Sequence, residues 1–230
     1  MIDYGRFDAL TFDVYGTLID WETGLANAFR PILRARGIEA DEEDVLARYA
    51  VHEAAAEGGP YARYRDVLAA GLRGVTGEFR FEPDPQEVAA FSRSVGAWPA
   101  FPDTPGALAQ LGERFRLGVI TNCDDDLFAA SAPRLGVTFE WVVTAEQVGS
   151  YKPAERNFLV ALDRIDLPRE RILHVAQSLF HDHVPAARLG LTSVWIDRRH
   201  DRPGSGATPP AEARPAATFP DLASFAAAVR

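Results

Sequence analysis

The sequence predicts an α/β protein: a doubly wound, mostly parallel Rossmann-like sheet with an inserted α-helical cap. Three observations carry this. Short apolar runs, each too brief for a convincing helix, alternate with segments of helical periodicity through most of the chain. Between the first two runs, residues 20–96 read as helical throughout. At 230 residues and 47% hydrophobic content, the chain can bury one core and still carry a large insertion.

In chain order, Phe7 to Phe12 is the first buried strand, followed by Asp13 and by Gly16, which permits a sharp loop. Trp21 to Arg36 places Leu25, Phe29, Ile32 and Leu33 near helical spacing, with Gly37 as the stop. Asp41 caps a second helix to about Ala56, and Gly58-Gly59-Pro60 ends it. A third runs from Tyr61 to about Val75 and a fourth from Pro85 through Phe91 to Val95. These four form the cap, residues 20–96; residues 1–19 and 97–230 form the core. Trp98 to Asp103, rich in Pro and aromatics, is the return to the core. Asp103 or Thr104 caps a helix through Gly112, ahead of a second strand, Arg116–Thr121. Trp141–Thr144, Arg171–Ala176 and Thr192–Asp197 are three more strands. Asp124, Asp125 and Asp126 are read as dipole partners of the helix they precede. Residues 198–215, dense in Pro and Gly, are expected to be a mobile surface loop, and Asp221 caps a last helix to Arg230.

A net charge of -9 argues against nucleic acid as a partner, and no apolar run is long enough to span a bilayer. Cys123, the single cysteine, can form no internal disulfide, and no apolar leader precedes the first strand. The expectation is a cytoplasmic enzyme acting on a small anionic molecule, with neither nucleic acid nor membrane as partner. The net charge does not bar such a substrate, because local N–H groups and one or two cations decide anion binding.

Parallel strands bring their C-terminal ends to one sheet edge, where open α/β sheets hold ligands. Asp13, Thr121-Asn122, Lys152 and Asp182 all follow strand ends or the turns and segments just beyond them. Taken singly, each has a plainer reading: a turn aspartate, a strand end, a solvated lysine. Together they place an ammonium near two carboxylates, and a cation within roughly 4–6 Å favours the charged form of a carboxyl. An ionised aspartate can attack carbon or phosphorus.

The stretch Phe12-Asp13-Val14-Tyr15-Gly16-Thr17-Leu18 resembles the first motif of the haloacid dehalogenase superfamily, and its DVYGT form resembles the type II 2-haloacid dehalogenases. Ile120-Thr121-Asn122 resembles the second motif, Tyr151-Lys152-Pro153 the third, and His174 to Asp182 covers the fourth. The resemblance implies Asp13 as a nucleophile that displaces halide from a small 2-haloalkanoic acid and forms a covalent ester. It implies that Thr17, Thr121 and Asn122 bind the substrate carboxylate, with Tyr15 packing against the substrate. Asp182, with Lys152, would position or activate water, while Gln177 and Ser178 take nearby polar roles. It also places Arg48 of the cap against the halide and makes a homodimer possible.

Two residues depart from the phosphatase members of the superfamily. Tyr15 stands where those enzymes carry a second aspartate, the general acid, and a phenol with a pKa near 10 is poorly matched to that task. Gln177 stands where they carry an acid that helps hold Mg²⁺, and an amide weakens such a site. Halide leaves without a proton, so neither departure harms attack at carbon, and no cofactor is expected. The alternative is a phosphatase of small phosphate esters with Mg²⁺ held by Asp13, Asp182 and a backbone carbonyl. A further alternative is a non-catalytic binding protein on the same fold.

Overall fold

The computed structural model describes residues 2–202 and 208–229. Its sheet has six strands, all parallel: β1 (Ala9–Phe12), β2 (Arg116–Thr121), β3 (Trp141–Thr144), β4 (Ile172–Ala176), β5 (Thr192–Ile196) and β6 (Ala217–Phe219), in the order β3-β2-β1-β4-β5-β6. Both faces are covered, which is why the strands read as continuous apolar runs instead of alternating ones. Leu10, Phe12, Val119 and Val175 point into one core, whereas Ala9, Ile120 and Ile172 face a second built on Phe158, Ala161 and Ile165. Five strands lie where expected. The sixth, β6, follows Pro-rich sequence and is only three residues long, too short to leave a periodic signal.

Strand order reverses beside β1. The chain moves outward on one side through β2 and β3, then returns to β4 on the other flank of β1 and continues to β6. This is a topological switch point, and it opens a crevice at the C-terminal tips of β1 and β4. Asp13 is the first residue beyond β1, its N–H bonded to Val175 O.

Four helices form the insertion after β1: α1 (Trp21–Arg34), α2 (Glu42–Glu57), α3 (Tyr64–Glu78) and α4 (Pro85–Arg93). Phe29, Tyr49 and Phe91 form their aromatic centre, with ring centroids 4.7–6.3 Å apart. Gly71 of α3 lets Tyr49 close in: a Cβ there would lie 2.5 Å from the ring. Asp41 caps α2 as expected, accepting from Glu43 N and Asp44 N.

α3 has no cap of its own; Asp124, from beyond β2, supplies it. Its carboxylate accepts from Tyr64 N at 2.8 Å and Arg65 N at 3.2 Å. This corrects the sequence reading, which assigned Asp124 to the dipole of the helix it precedes, α6 (Asp125–Ser131). The buried carboxylate instead ties the helical insertion to the sheet, and Arg65 reinforces the tie by pairing with Asp126 at 2.6 Å.

α5 (Thr104–Gly112) leads into β2, and the helices that follow the later strands include α7 (Ala145–Val148), α8 (Glu155–Ile165), α9 (Val184–Arg188) and α10 (Leu222–Ala228). Of the expected mobile loop, residues 203–207 lie outside the described residues. Its first residues are fastened, contrary to expectation. Arg198 lies over the Phe101 ring and bonds Asp103 and Thr17 O, while buried Arg199 pairs with Glu22 and Glu43. Asp221 caps α10 as expected, accepting from Ser224 N at 2.6 Å, and Asp103, which makes no side-chain cap bond to α5, adds to that cap by accepting from Leu222 N at 2.8 Å. Among the described residues, no helix is long and apolar enough to cross a membrane.

Candidate active site

The crevice beside β1 gathers the predicted residues around one ammonium. Gly16 adopts φ +94°, a conformation that favours glycine, and turns the chain sharply just past Asp13. Thr17 thereby reaches back: its hydroxyl donates to Asp13 Oδ2 at 2.6 Å and accepts from Gln177 N at 2.9 Å. Lys152 is fully buried. Its Nζ donates to Asp13 Oδ1 at 2.8 Å, Asp182 Oδ1 at 2.7 Å and Ile120 O at 2.9 Å, which uses all three of its N–H donors. Asn122 fixes the backbone of Lys152 from both sides, accepting from its N–H at 2.7 Å and donating to its carbonyl at 3.1 Å.

Asp182 sits on one turn of π-helix, Leu179–His183, just after β4. Besides Lys152 it contacts His174 Nε2 at 3.0 Å, and His174 Nδ1 meets Thr11 Oγ1 at 2.9 Å across the β1–β4 pair. Burial pushes the Asp182 carboxyl up, but the Lys152 charge and the His174 contact outweigh it and hold the group well below the usual carboxylate range. For Lys152, burial alone would favour the neutral amine; the two carboxylates overcome it and raise its pKa. On Asp13, burial wins over the Lys152 charge and raises the carboxyl above its ordinary value, with Asp182 adding to the rise.

A small cleft, about 40 Å³ in volume, opens above this assembly. Asp13, Tyr15, Asn122, Lys152, Gln177, Ser178 and Asp182 line it, so most of the residues singled out in the sequence meet there. Two threonines sit deeper. Thr17 is fully buried behind Asp13, and Thr121 is buried at the tip of β2 with its hydroxyl unpartnered among the described residues. Tyr15 faces the cleft with its ring edge-on to Trp98, but its hydroxyl is engaged by Ser131 Oγ at 3.1 Å and Cys123 Sγ at 3.5 Å. Burial, with Cys123 nearby, pushes that phenol well above 10. Ser178 Oγ accepts from His181 N at 2.9 Å, which shapes the turn carrying Asp182.

Arg48 is not in the cleft, which corrects its assignment to the halide. It lies on the solvent side of α2, paired with Asp44 and Glu78. At about 100° per residue, position 48 is rotated roughly 140° from position 53, and Glu53 is on the side that faces the sheet.

Sequence reasoning missed His174, Glu53, Glu57 and Tyr64. A histidine inside the apolar run Ile172-Leu173-His174-Val175 was a readable signal, as were two glutamates at i, i+4 on a helix with a buried face. Glu53 is buried and accepts from Tyr49 OH and Tyr64 OH, both at 2.9 Å; burial pushes its pKa up to about 7. Burial and the neighbouring Glu53 raise Glu57 well above the usual range, against the opposing pull of the Lys152 charge and the Asn122 amide.

The donors do not fit a resident Mg²⁺. Asp13 and Asp182 each spend an oxygen on Lys152, Gln177 brings an amide, and among the described residues no three His, Cys, Asp or Glu side chains gather as a metal ion needs.

Comparison with known proteins gives a consistent family and two kinds of named relative. The model of the haloacid dehalogenase-like hydrolases matches residues 7–180. The chain is 29% identical over 222 residues to the 5-amino-6-(5-phospho-D-ribitylamino)uracil phosphatase of Escherichia coli K12, covering 84% of each chain. It is 30% identical over 203 residues to the glyceraldehyde 3-phosphate phosphatase of Methanopyrus kandleri, covering 83% of this chain and 84% of that one. Among solved structures, an L-2-haloacid dehalogenase superposes with a TM-score of 0.82 at 24% identity, covering 97% of this chain and all of that one. The L-2-haloacid dehalogenase of Xanthobacter autotrophicus with covalently bound chloropropionic acid gives 0.80 at 20% identity, covering 97% and 98%. At such identities these structures speak for the fold alone.

Proposed function

The chain belongs to the haloacid dehalogenase-like hydrolases, and from that premise we propose that it hydrolyses carbon–halogen bonds of small 2-haloalkanoic acids through an ester on Asp13. One observation carries the choice of bond. The residue two past Asp13 is a tyrosine whose hydroxyl is committed to Ser131 and Cys123 and whose proton is held more tightly than in a free phenol. It is a poor donor to an alkoxide leaving group, whereas halide departs as a stable anion.

In this reading Lys152 and Thr17 hold Asp13 ionised and aimed. An Asp13 oxygen bonds to the α-carbon as the carbon–halogen pair leaves with the halide. Water then attacks the ester carbonyl, oriented by Asp182, whose buried Oδ2 has no partner among the described residues. Hydrolysis returns Asp13 as a carboxylate and releases the 2-hydroxy acid and one proton. Asn122 and Ser178 are the polar groups placed to receive the substrate carboxylate, and the unpartnered Thr121 hydroxyl lies just behind.

A second reading, hydrolysis of phosphate esters, is favoured by the names of the two relatives and by the α2 carboxyls, whose pKa values burial raises. One experiment separates them: halide release from 2-chloropropionate, run beside p-nitrophenyl phosphate with added Mg²⁺ and with EDTA. Halide release that EDTA leaves unchanged is expected. Mg²⁺-dependent phosphate release with no halide from any 2-haloacid would overturn the proposal.

A further inference from the structure

The cleft has a charge balance that a plain 2-haloacid does not complete. Four carboxyl groups line it, Asp13 and Asp182 on the sheet side and Glu53 and Glu57 from α2, against one lysine. The Lys152 ammonium is used up by Asp13, Asp182 and Ile120 O. Among the described residues no cation pairs directly with the two glutamates: His181 Nε2 lies 3.9 Å from Glu57, but burial lowers its pKa to about 4, so it is neutral at working pH, and the Lys152 charge, already shared by Asp13 and Asp182, does not offset the burial of Glu57. Tyr49 and Tyr64 give Glu53 neutral O–H donors, and Asn122 gives Glu57 an amide.

Buried carboxyls without a cation are costly to ionise, and both glutamates hold their protons to higher pH accordingly. The cleft wall also carries a buried acceptor with no partner among the described residues, Asp182 Oδ2, which is independent of the glutamate pair and calls for a donor from a ligand or water.

We propose that the substrate carries an ammonium group at the end remote from its reacting carbon, and that Glu53 and Glu57 are the residues that select it. The proposal rests on the cleft over Asp13 being the substrate site, not on which bond is broken there. A substrate with a carboxylate alone adds a negative charge to an already acidic cleft; one that also bears an ammonium brings its own counter-charge. Pairing with the ammonium favours the ionised form of both glutamates, so binding releases protons that burial makes them hold.

The test uses the full chain as Asp13→Asn, so that binding is read without turnover. Three 2-chloro acids of matched length are titrated by calorimetry at neutral pH: 4-amino-2-chlorobutanoate, 2-chloropentanoate and 2-chloroglutarate. The ammonium compound is expected to bind roughly 10–100-fold more tightly than the methyl one, as one charge-assisted hydrogen bond implies, with the dicarboxylate weakest. Its binding should release protons, read as a dependence of the heat on buffer ionisation enthalpy. Glu57→Gln on the same background, which keeps shape and acceptor oxygen, should erase the preference and the proton release.

Equal affinity for the three, no binding of the ammonium compound, or a preference that survives both Glu57→Gln and Glu53→Gln overturns the proposal. A parallel series of 3-aminopropyl phosphate and butyl phosphate distinguishes this failure from that of the dehalogenase reading. Selection of the amine among phosphate esters only, with those esters turned over by the wild-type protein, upholds the selection by Glu53 and Glu57 and discards the carbon–halogen assignment.

Discussion

Lys152 Nζ donates to Asp13 Oδ1 at 2.8 Å with both side chains almost entirely withdrawn from water. That contact joins two residues 139 positions apart, and the same nitrogen reaches Asp182 at 2.7 Å. A buried pair of this kind is worth little compared with an apolar replacement of all its members, yet removal of one member is severe, because the partners stay buried and charged.

Lys152→Met is therefore expected to lose roughly 3–5 kcal/mol of stability in urea unfolding, together with turnover. Adding Asp13→Asn to it removes one stranded charge, so the double variant should be destabilised by less than the sum of the two changes. Simple additivity would show that the ammonium and the carboxylate act independently.

Tyr15→Phe is expected to cost about 1 kcal/mol, the net worth of one hydrogen bond, and to leave kcat for halide release within a few-fold of the parent. The hydroxyl serves Ser131 and Cys123, not the substrate. A fall of a hundredfold or more, at unchanged stability, would make the phenol a participant in the chemistry.

Glu53 sets a pH dependence of stability with a definite sign. Its native pKa, raised from 4.5 to about 7, means that the folded protein keeps a proton that the unfolded chain gives up. Stability from this group is full below pH 4.5 and is lost as pH rises through 7, a span of about 3 kcal/mol. Glu53→Gln still accepts the two tyrosine hydroxyls and should remove that slope. Unfolding midpoints that fall equally for both proteins between pH 5 and pH 8 would assign the slope to other groups.

Asp124→Ala removes the side-chain cap of α3 and strands two N–H groups. A loss of about 1–3 kcal/mol is expected, with faster hydrogen exchange at the start of α3 than in the sheet. Exchange raised first in α6 instead would return Asp124 to the dipole role its sequence neighbours imply.

The sequence by itself determined the strands β1 to β5, the four helices α1 to α4 that follow β1, and the strand-tip location of Asp13, Asn122, Lys152 and Asp182. These are local matters: apolar runs of strand length, 3.6-residue periodicity, caps and glycine stops are written in neighbouring residues, and parallel topology sends every strand tip to one edge. Tertiary structure alone decided which side chain meets which. Asp103 and Asp124 look like caps for the helices next to them, yet each serves a helix about 60 or more residues away in sequence, because an N-terminus accepts any acidic group that packing delivers. Arg48 and Glu53 lie on one helix and are equally polar in sequence; rotation about the helix axis put the cation in solvent and the acid in the cleft. His174 had no signal of its partners, since Thr11 comes from the adjacent strand and Asp182 from a π turn. The charge balance of the site is a sum over residues from α2, β1, β4 and the turns beyond them, and no window of sequence contains that sum.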